Sequence, residues 1–249
     1  MATFEVKLIP SWKRHSYPNL SHKCCARKNE EAIEVTELEQ INEETRKSFD
    51  LAAERYYELF KDEMNQKEYD RIVLDKFASN FGSESILCDM GCGPGHITRY
   101  LFDKGLNIFG IDISEKCIAV ARRENPKMRF QVMDMARLDL PDRSINGILA
   151  FYSIIHTPKR SMNILFREFH RVLKKNGKIL IVVKKGSTEG YVDELVGFKT
   201  RLYFANFTEE ELKTYLQTSG FELISIETRQ PYDFEIPVER IYVVGKKRV

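Results

Sequence analysis

The sequence predicts an α/β fold: a doubly wound, mostly parallel sheet with helices on both faces. Three observations predict it. Short apolar runs recur at 85–90, 106–111, 128–133, 146–151 and 178–183. Helical stretches near 95–104, 114–124 and 158–174 separate them. The first run passes directly into a glycine corner, Asp89-Met-Gly-Cys-Gly-Pro-Gly95. Apolar runs without alternation are buried on both faces, as the strands of a helix-covered parallel sheet must be.

The elements follow in order. Residues 1–29 carry six basic residues against one acid, and 30–44 then carry seven Glu with no Lys or Arg. That charge switch predicts a basic, poorly ordered extension over 1–33, outside a single domain over 34–249. Within the extension, His15, His22, Cys24 and Cys25 lack the Cys-x2-Cys spacing of a zinc site, so no metal is expected. From 34 to 81 the apolar residues recur at helical steps, with Phe49, Ala52, Ala53 and Tyr56 in one helix and Ile72, Val73, Phe77 and Phe81 in the next. Thr157-Pro158 reads as a helix start and Asn176-Gly177 as its end. Residues 184–207 read as an irregular, lid-like insertion, 208–219 as a helix, and 221–230 and 238–246 as two closing strands.

Bulk properties exclude several classes. Of 249 residues, 43% are apolar and 31% charged, the balance of a water-soluble globule. The net charge of +2 argues against a general nucleic-acid partner. No apolar run reaches the length of a membrane span, the N-terminus lacks the pattern of a secretory signal, and the five cysteines do not resemble a disulfide framework, so a cytoplasmic setting is expected. The Glu-rich helix near 30–47 is a candidate for self-association into a homodimer.

The glycine corner carries chemistry. A turn stripped of side chains lets a ligand approach the backbone, and the helix beyond it offers free amides and a partial positive charge. The spacing Gly91-x-Gly93-x-Gly95 differs from the Gly-x-Gly-x-x-Gly of dinucleotide sites. Asp89, two residues ahead, can hold a cationic ammonium group, which a pyrophosphate ligand lacks. An acid also ends the next strand, in Phe109-Gly-Ile-Asp112-Ile-Ser114, and another follows in Phe130-Gln-Val-Met-Asp134-Met135. Upstream stands Phe49-Asp50-x-x-Ala53-x-x-Tyr56.

With these landmarks in order, residues 49–245 resemble the class I (seven-stranded, Rossmann-like) S-adenosylmethionine-dependent methyltransferases, in their broad small-molecule (type 11/25-like) group. The resemblance implies the strand order 3-2-1-4-5-7-6 with the last strand antiparallel. It implies S-adenosylmethionine as cofactor and S-adenosylhomocysteine as product. It assigns Asp89, Gly91, Gly93 and Gly95 to the methionine part, Asp112 to both ribose hydroxyls, and Ile113 to a face of the adenine ring. Asp134 falls to the adenine amino group, Met135 to a backbone contact with the ring, and Tyr56 (or Tyr57 on a rotated helix) to the cofactor carboxylate. Phe151 joins this set at the end of the fourth strand, where Ala150-Phe-Tyr-Ser-Ile-Ile-His156 lines the wall beside the methyl group.

Acceptor chemistry is less legible. His156 is the candidate base because its ordinary pKa lies near neutrality; the competing reading is a structural histidine packing at a strand end. Tyr152, Tyr191, Arg201 and Tyr203 are the candidate substrate contacts, since aromatics with cations can enclose a planar or anionic small molecule. The Asn/Asp-Pro-Pro-Tyr/Phe run of many nucleobase and glutamine methyltransferases is absent. The competing functions are RNA or protein methylation, favoured by the basic arm, and a non-catalytic cofactor-binding scaffold. A nicotinamide oxidoreductase is disfavoured by the glycine spacing and by Tyr57-x-x-x-Lys61 lying upstream of the glycine corner.

Overall fold

A computed structural model describes residues 27–248, with side chains from residue 36 onward. The basic arm up to residue 26, with His15, His22, Cys24 and Cys25, lies outside the described residues. The first helix, α1, spans Arg27–Phe60 and thus starts inside the stretch that the charge pattern assigns to the extension. Helix α2 (Glu68–Ala78) follows, then strand β1 (Ile86–Met90), α3 (His96–Asp103), β2 (Asn107–Asp112), α4 (Glu115–Glu124), β3 (Arg129–Val132) and β4 (Ile145–Phe151). After these come α5 (Met162–Val172), β5 (Leu173–Lys184), a hairpin of β6 (Glu189–Leu195) and β7 (Phe198–Ala205), α6 (Glu209–Thr218), β8 (Phe221–Arg229) and β9 (Arg240–Lys247).

The main sheet has the order β3-β2-β1-β4-β5-β9-β8. Its first five strands run parallel, and β9 is antiparallel to both neighbours. Counted without the hairpin, this is the expected order with the last strand reversed. The period-two rule then divides the core into two layers. Cys88, Met90, Ile148, Ala150, Ile179, Ile181 and Val183 point to one face, against Phe166, Phe169, Leu212 and Leu216 of α5 and α6. Leu87, Leu149, Phe151, Leu180 and Val182 point to the other, against Val73, Leu74 and Phe77 of α2 and Leu101 of α3. Each large side chain buried in this way contributes about 1.5–3 kcal/mol. Among the described residues no helix is long and apolar enough to cross a membrane, and no cluster of metal-ligating groups is present.

Two local expectations need correction. The stretch 158–174 is not one helix. Thr157 is extended (ψ 135°) and Pro158 continues extended (ψ 139°) between two single 3-10 turns, so α5 starts only at Met162. An extended Thr157 would itself suit a cap, but Pro158, the would-be first helical residue, keeps an extended ψ, so no helix can start there. At the other end Leu173, fully buried, leaves the helix at once to pair with Ile145. Asn176 (φ 62°) then turns a bulge opposite Asn146 within β5 rather than ending a helix.

The second correction concerns 184–207, which holds an antiparallel hairpin with one register shift between Val192 and Glu194. Its turn residues Val196 (φ 45°) and Gly197 (φ 93°) are both left-handed, as a tight two-residue hairpin turn demands. A β-branched residue at the first of these positions is a poor sequence signal for that turn. The hairpin docks on α1 through Ser48 against Thr200 and Arg201 against Glu44, and within it Tyr191 meets Tyr203 edge-on at 5.2 Å.

Candidate functional site

The glycine corner is built to hold backbone amides in the open. Gly91 (φ 74°), Gly93 (φ 54°) and Gly95 (φ 84°) are all left-handed, a conformation that costs other residues about 1 kcal/mol or more. Gly91 and Cys92 both donate to the Ile111 carbonyl, at 2.8 and 2.9 Å, which ties the corner to the end of β2. A Cβ on Gly91 would collide with Ser153 and touch Met135, and one on Gly95 would lie 2.8 Å from the Phe130 ring. Gly93 is different: no protein atom lies within 4 Å of its missing Cβ. That is the open face of the corner.

Asp112 fastens the same corner from the next strand. Its Oδ2 accepts from the Gly93 amide and its Oδ1 from the Ser114 amide, both at 2.8 Å. Ser114 caps α4 by accepting from Cys117 at 3.0 Å, and its own hydroxyl donates to Asp50 of α1. The Phe49-Asp50 motif thus links the N-terminal helix to the turn that carries Asp112. Burial raises the Asp112 carboxyl to about 6 despite the two amide bonds. Asp89 is also buried, accepts from Thr98 at 2.7 Å, and is raised to about 6 by the same desolvation. Two buried carboxylates beside free helix amides suit a ligand that brings hydroxyl donors and a cation.

The third acid is more engaged than the sequence suggests. Asp134 accepts from the Ala136 amide at 2.8 Å and from Asn42 of α1 at 2.7 Å. Ile113 is half-buried beside Asp112, and Met135 lies against Gly91. The two candidate tyrosines face opposite ways. Tyr57 packs with Ala53, Cys117 and Val120 and donates to Glu124 at 3.1 Å. The Tyr56 ring instead lies 5.6 Å from Phe49 and 6.5 Å from His96, and burial raises its hydroxyl pKa, helped by the nearby Glu63 and Asp112 charges.

At the end of β4, Phe151 belongs to the buried layer against α2 and α3, while Tyr152 (φ 54°) is left-handed. A bulky residue there is strained, and such strain gathers at binding sites. It turns Ser153 against Gly91 and leaves the Tyr152 and Ser153 hydroxyls buried without partners. His156 lies edge-on to Phe49 at 5.2 Å, and its Nδ1 meets the Tyr203 carbonyl at 2.8 Å. A carbonyl only accepts, so Nδ1 carries the proton and Nε2 offers a lone pair. Burial lowers the His156 pKa to about 4, the Tyr203 bond raises it, and the Lys184 charge lowers it further.

The remaining candidates sit at the hairpin. Tyr203 commits its hydroxyl to Glu189 at 2.5 Å, and Arg201 lies over the Tyr191 ring at 3.7 Å while pairing with Glu44. Tyr203 reaches His156 through its main chain, and Tyr191 and Arg201 face α1. Sequence reasoning did not single out His96 or Glu63. His96 opens α3 directly after Gly95, bonds Glu63 at 2.8 Å through Nε2, and keeps Nδ1 buried without a partner. Its position at the first residue of α3 was a signal in the sequence; Glu63, in a short turn, gave none.

Comparisons with known proteins bear on the family and the fold. Residues 87–177 match a protein-family profile described as a methyltransferase domain. A probable S-adenosylmethionine-dependent methyltransferase of Mycolicibacterium smegmatis is 27% identical over 154 residues, 61% of this chain and 57% of that protein. An S-adenosyl-L-methionine-dependent Diels-Alderase of Talaromyces variabilis is 26% identical over 179 residues, 64% of this chain and 60% of that protein. The chain thus spans less than two thirds of the length of these curated relatives. Among solved structures, 1,6-didemethyltoxoflavin-N1-methyltransferase of Burkholderia thailandensis, with 1,6-didemethyltoxoflavin and S-adenosylhomocysteine bound, superposes with a TM-score of 0.63 at 18% identity, over 92% of this chain and 94% of that one. Residues 87–177 thus match a methyltransferase-domain profile, and the chain shares the fold of a methyltransferase solved with S-adenosylhomocysteine bound.

Proposed function

We propose that the protein transfers the methyl group of S-adenosylmethionine to a small-molecule acceptor. The observation that carries this reading is the open face over Gly93, whose amide is held by the same buried carboxylate that ends β2. The donor set fits the cofactor. Asp112 retains acceptor capacity for ribose hydroxyls beyond its two amide bonds, Asp89 is a buried anion for the ammonium, and the amides opening α3 face the same corner. Tyr56, Ile113, Asp134, Met135 and Phe151 complete the cradle in this reading.

When bound, S-adenosylmethionine supplies a sulfonium methyl group that a nucleophile displaces in line. The chain's part is mainly alignment and exclusion of water. The docked hairpin and α1 supply the exclusion, and neutral His156, with its Nε2 lone pair, is the candidate proton acceptor. A pKa of about 4 makes it a weak base, so its plainest role is to orient a hydrogen-bonded acceptor. Unchanged turnover in H156A would end any catalytic role.

Calorimetric titration with S-adenosylhomocysteine, with D112A as control, tests the cofactor reading. Incubation of a metabolite pool with labelled methyl donor, followed by mass spectrometry, tests the transfer. A relative named as a Diels-Alderase makes that second step decisive, because cofactor binding without transferred label would point to another reaction. Label in RNA or protein alone would overturn the small-molecule acceptor.

A further inference from the structure

The sheet end beyond the glycine corner carries an unusual row of charge. Lys184, Arg240 and Arg229 stand directly opposite one another on β5, β9 and β8. Like charges in such cross-strand positions repel, so the row needs compensation. Three buried or nearly buried acids provide part of it. Glu235 pairs with Arg229 at 2.8 Å, with Lys67 at 3.4 Å and with Arg240 at 3.5 Å. Asp70, fully buried, lies 3.2 Å from Arg229, and Glu63 pairs with Lys67 at 2.7 Å. Four cations therefore face three acids, and the acids are taken by Lys67, Arg229 and Arg240. Among the described residues no acid pairs with Lys184, although it is partly withdrawn from water.

The neighbourhood is unfinished in a second respect. The Tyr152 hydroxyl, which can donate or accept, and the Arg240 Nε, which only donates, are buried without hydrogen-bond partners, while Asp70 Oδ2 has only its Arg229 ion pair. Tyr152 is the left-handed residue that ends β4, and its amide donates to Val182, two residues before Lys184. Lys184 stands opposite Arg240 at the end of β5; its charge acts on His156, the Arg240 and Lys67 charges oppose its own, and Glu235, already engaged by both arginines and Lys67, favours it from beyond ion-pair distance. An ammonium without an ion-pair partner and two orphan polar groups that can donate leave this sheet end short of negative charge, next to the strained end of β4.

We infer that the acceptor carries an anionic group, a carboxylate or a phosphate monoester, and that Lys184 is the specificity-determining residue that receives it. The Tyr152 hydroxyl and the Arg240 Nε supply the remaining donors. The anionic group is the anchor, and a different atom of the acceptor, nearer His156, takes the methyl group. This inference rests on the methyl-transfer reading and deepens it.

The test uses full-length protein saturated with S-adenosylhomocysteine, titrated with matched probes and followed by protein-observed NMR. The probes are benzoate with benzamide, 3-phenylpropionate with its amide, and phenyl phosphate with phenol. At least one acid is expected to bind tenfold or more tighter than its neutral partner. That preference falls below threefold in K184M and returns in K184R, while affinity for S-adenosylhomocysteine stays within twofold. The carboxylate and phosphate pairs show which anion is preferred. No acid preference in the wild type, silence of the whole panel, or a preference kept in K184M would overturn the inference. Failure of wild-type protein to bind S-adenosylhomocysteine would instead overturn the methyl-transfer reading.

Discussion

Single residues decide how the site answers to pH and to substitution. In the cofactor-free chain Asp89 and Asp112 have carboxyls raised to about 6 from an ordinary 3.8, because burial penalises their charge. Their ionised forms weaken the empty fold at neutral pH, and protonation relieves it as pH falls through 6 towards 3.8. His156 acts the other way. Its folded value of about 4 lies below the ordinary 6.5, so it contributes stability that is present above 6.5 and lost as pH falls through 4, about 3 kcal/mol in all. A histidine-resolved NMR titration should show a midpoint near 4; one near 6.5 would mean that the ring is solvated. Cofactor binding needs the two acids ionised, so affinity for S-adenosylhomocysteine should fall by at least about tenfold between pH 7.5 and 5. Flat calorimetric affinity over that range would contradict both acid roles. D112A should abolish binding, and D112N, which keeps one acceptor oxygen, should weaken it by about thirtyfold or more.

At the level of elements, the glycine corner separates folding from binding. G91A forces a left-handed alanine and drives its Cβ into Ser153, so it should cost about 2 kcal/mol or more in denaturant unfolding. G93A meets nothing within 4 Å and carries backbone strain alone, about 1 kcal/mol. Its larger effect should be on S-adenosylhomocysteine, with affinity down tenfold or more because the methyl group occupies the open face. Equal effects of both variants on binding and stability would refute this division. The same contrast explains what the sequence reveals. Buried strands such as β1 and β4 are legible because burial on both faces imposes apolar runs. The acids that end them are legible because a parallel sheet collects its strand ends at one edge. The hairpin of β6 and β7 was not legible, since its tip places Val196 where turn chemistry favours Asn or Gly. The true start of α5 was hidden for a similar reason: Thr157-Pro158 looks like a cap, but Pro158 stays extended and a 3-10 turn over Lys159–Ser161 precedes the helix.

Across the whole molecule, two kinds of charge do different work. The pairs along α1, such as Arg46 with Glu43, are largely exposed, and their loss should scarcely change stability. The network around Glu235 is buried and joins parts distant in the chain: Lys67 and Asp70 of the α2 region, Arg229 of β8 and Arg240 of β9. None of this was readable from the sequence, because lone Lys, Asp, Glu and Arg residues spread from 67 to 240 carry no spacing signal; only the closed sheet brings them together. Their arginines and Lys67 hold the Glu235 carboxyl below its ordinary 4.5 against the desolvation that would raise it. For a lowered acid, the stabilisation is present above the unfolded value of 4.5 and lost as pH falls below it, so the network should fail in acid before the apolar core does. E235Q leaves three buried cations with only Asp70 and Glu63 to balance them, and removing one partner of a buried network costs about 3–5 kcal/mol. Against a total stability of about 5–15 kcal/mol, that is a large fraction. Guanidinium unfolding should show a lower midpoint in E235Q with an unchanged slope, and a smaller penalty at pH 4 than at pH 7, because the wild-type carboxylate has begun to lose its own contribution there. A penalty independent of pH would mean that Glu235 contributes through packing, and the sheet end would then owe its stability to its apolar neighbours.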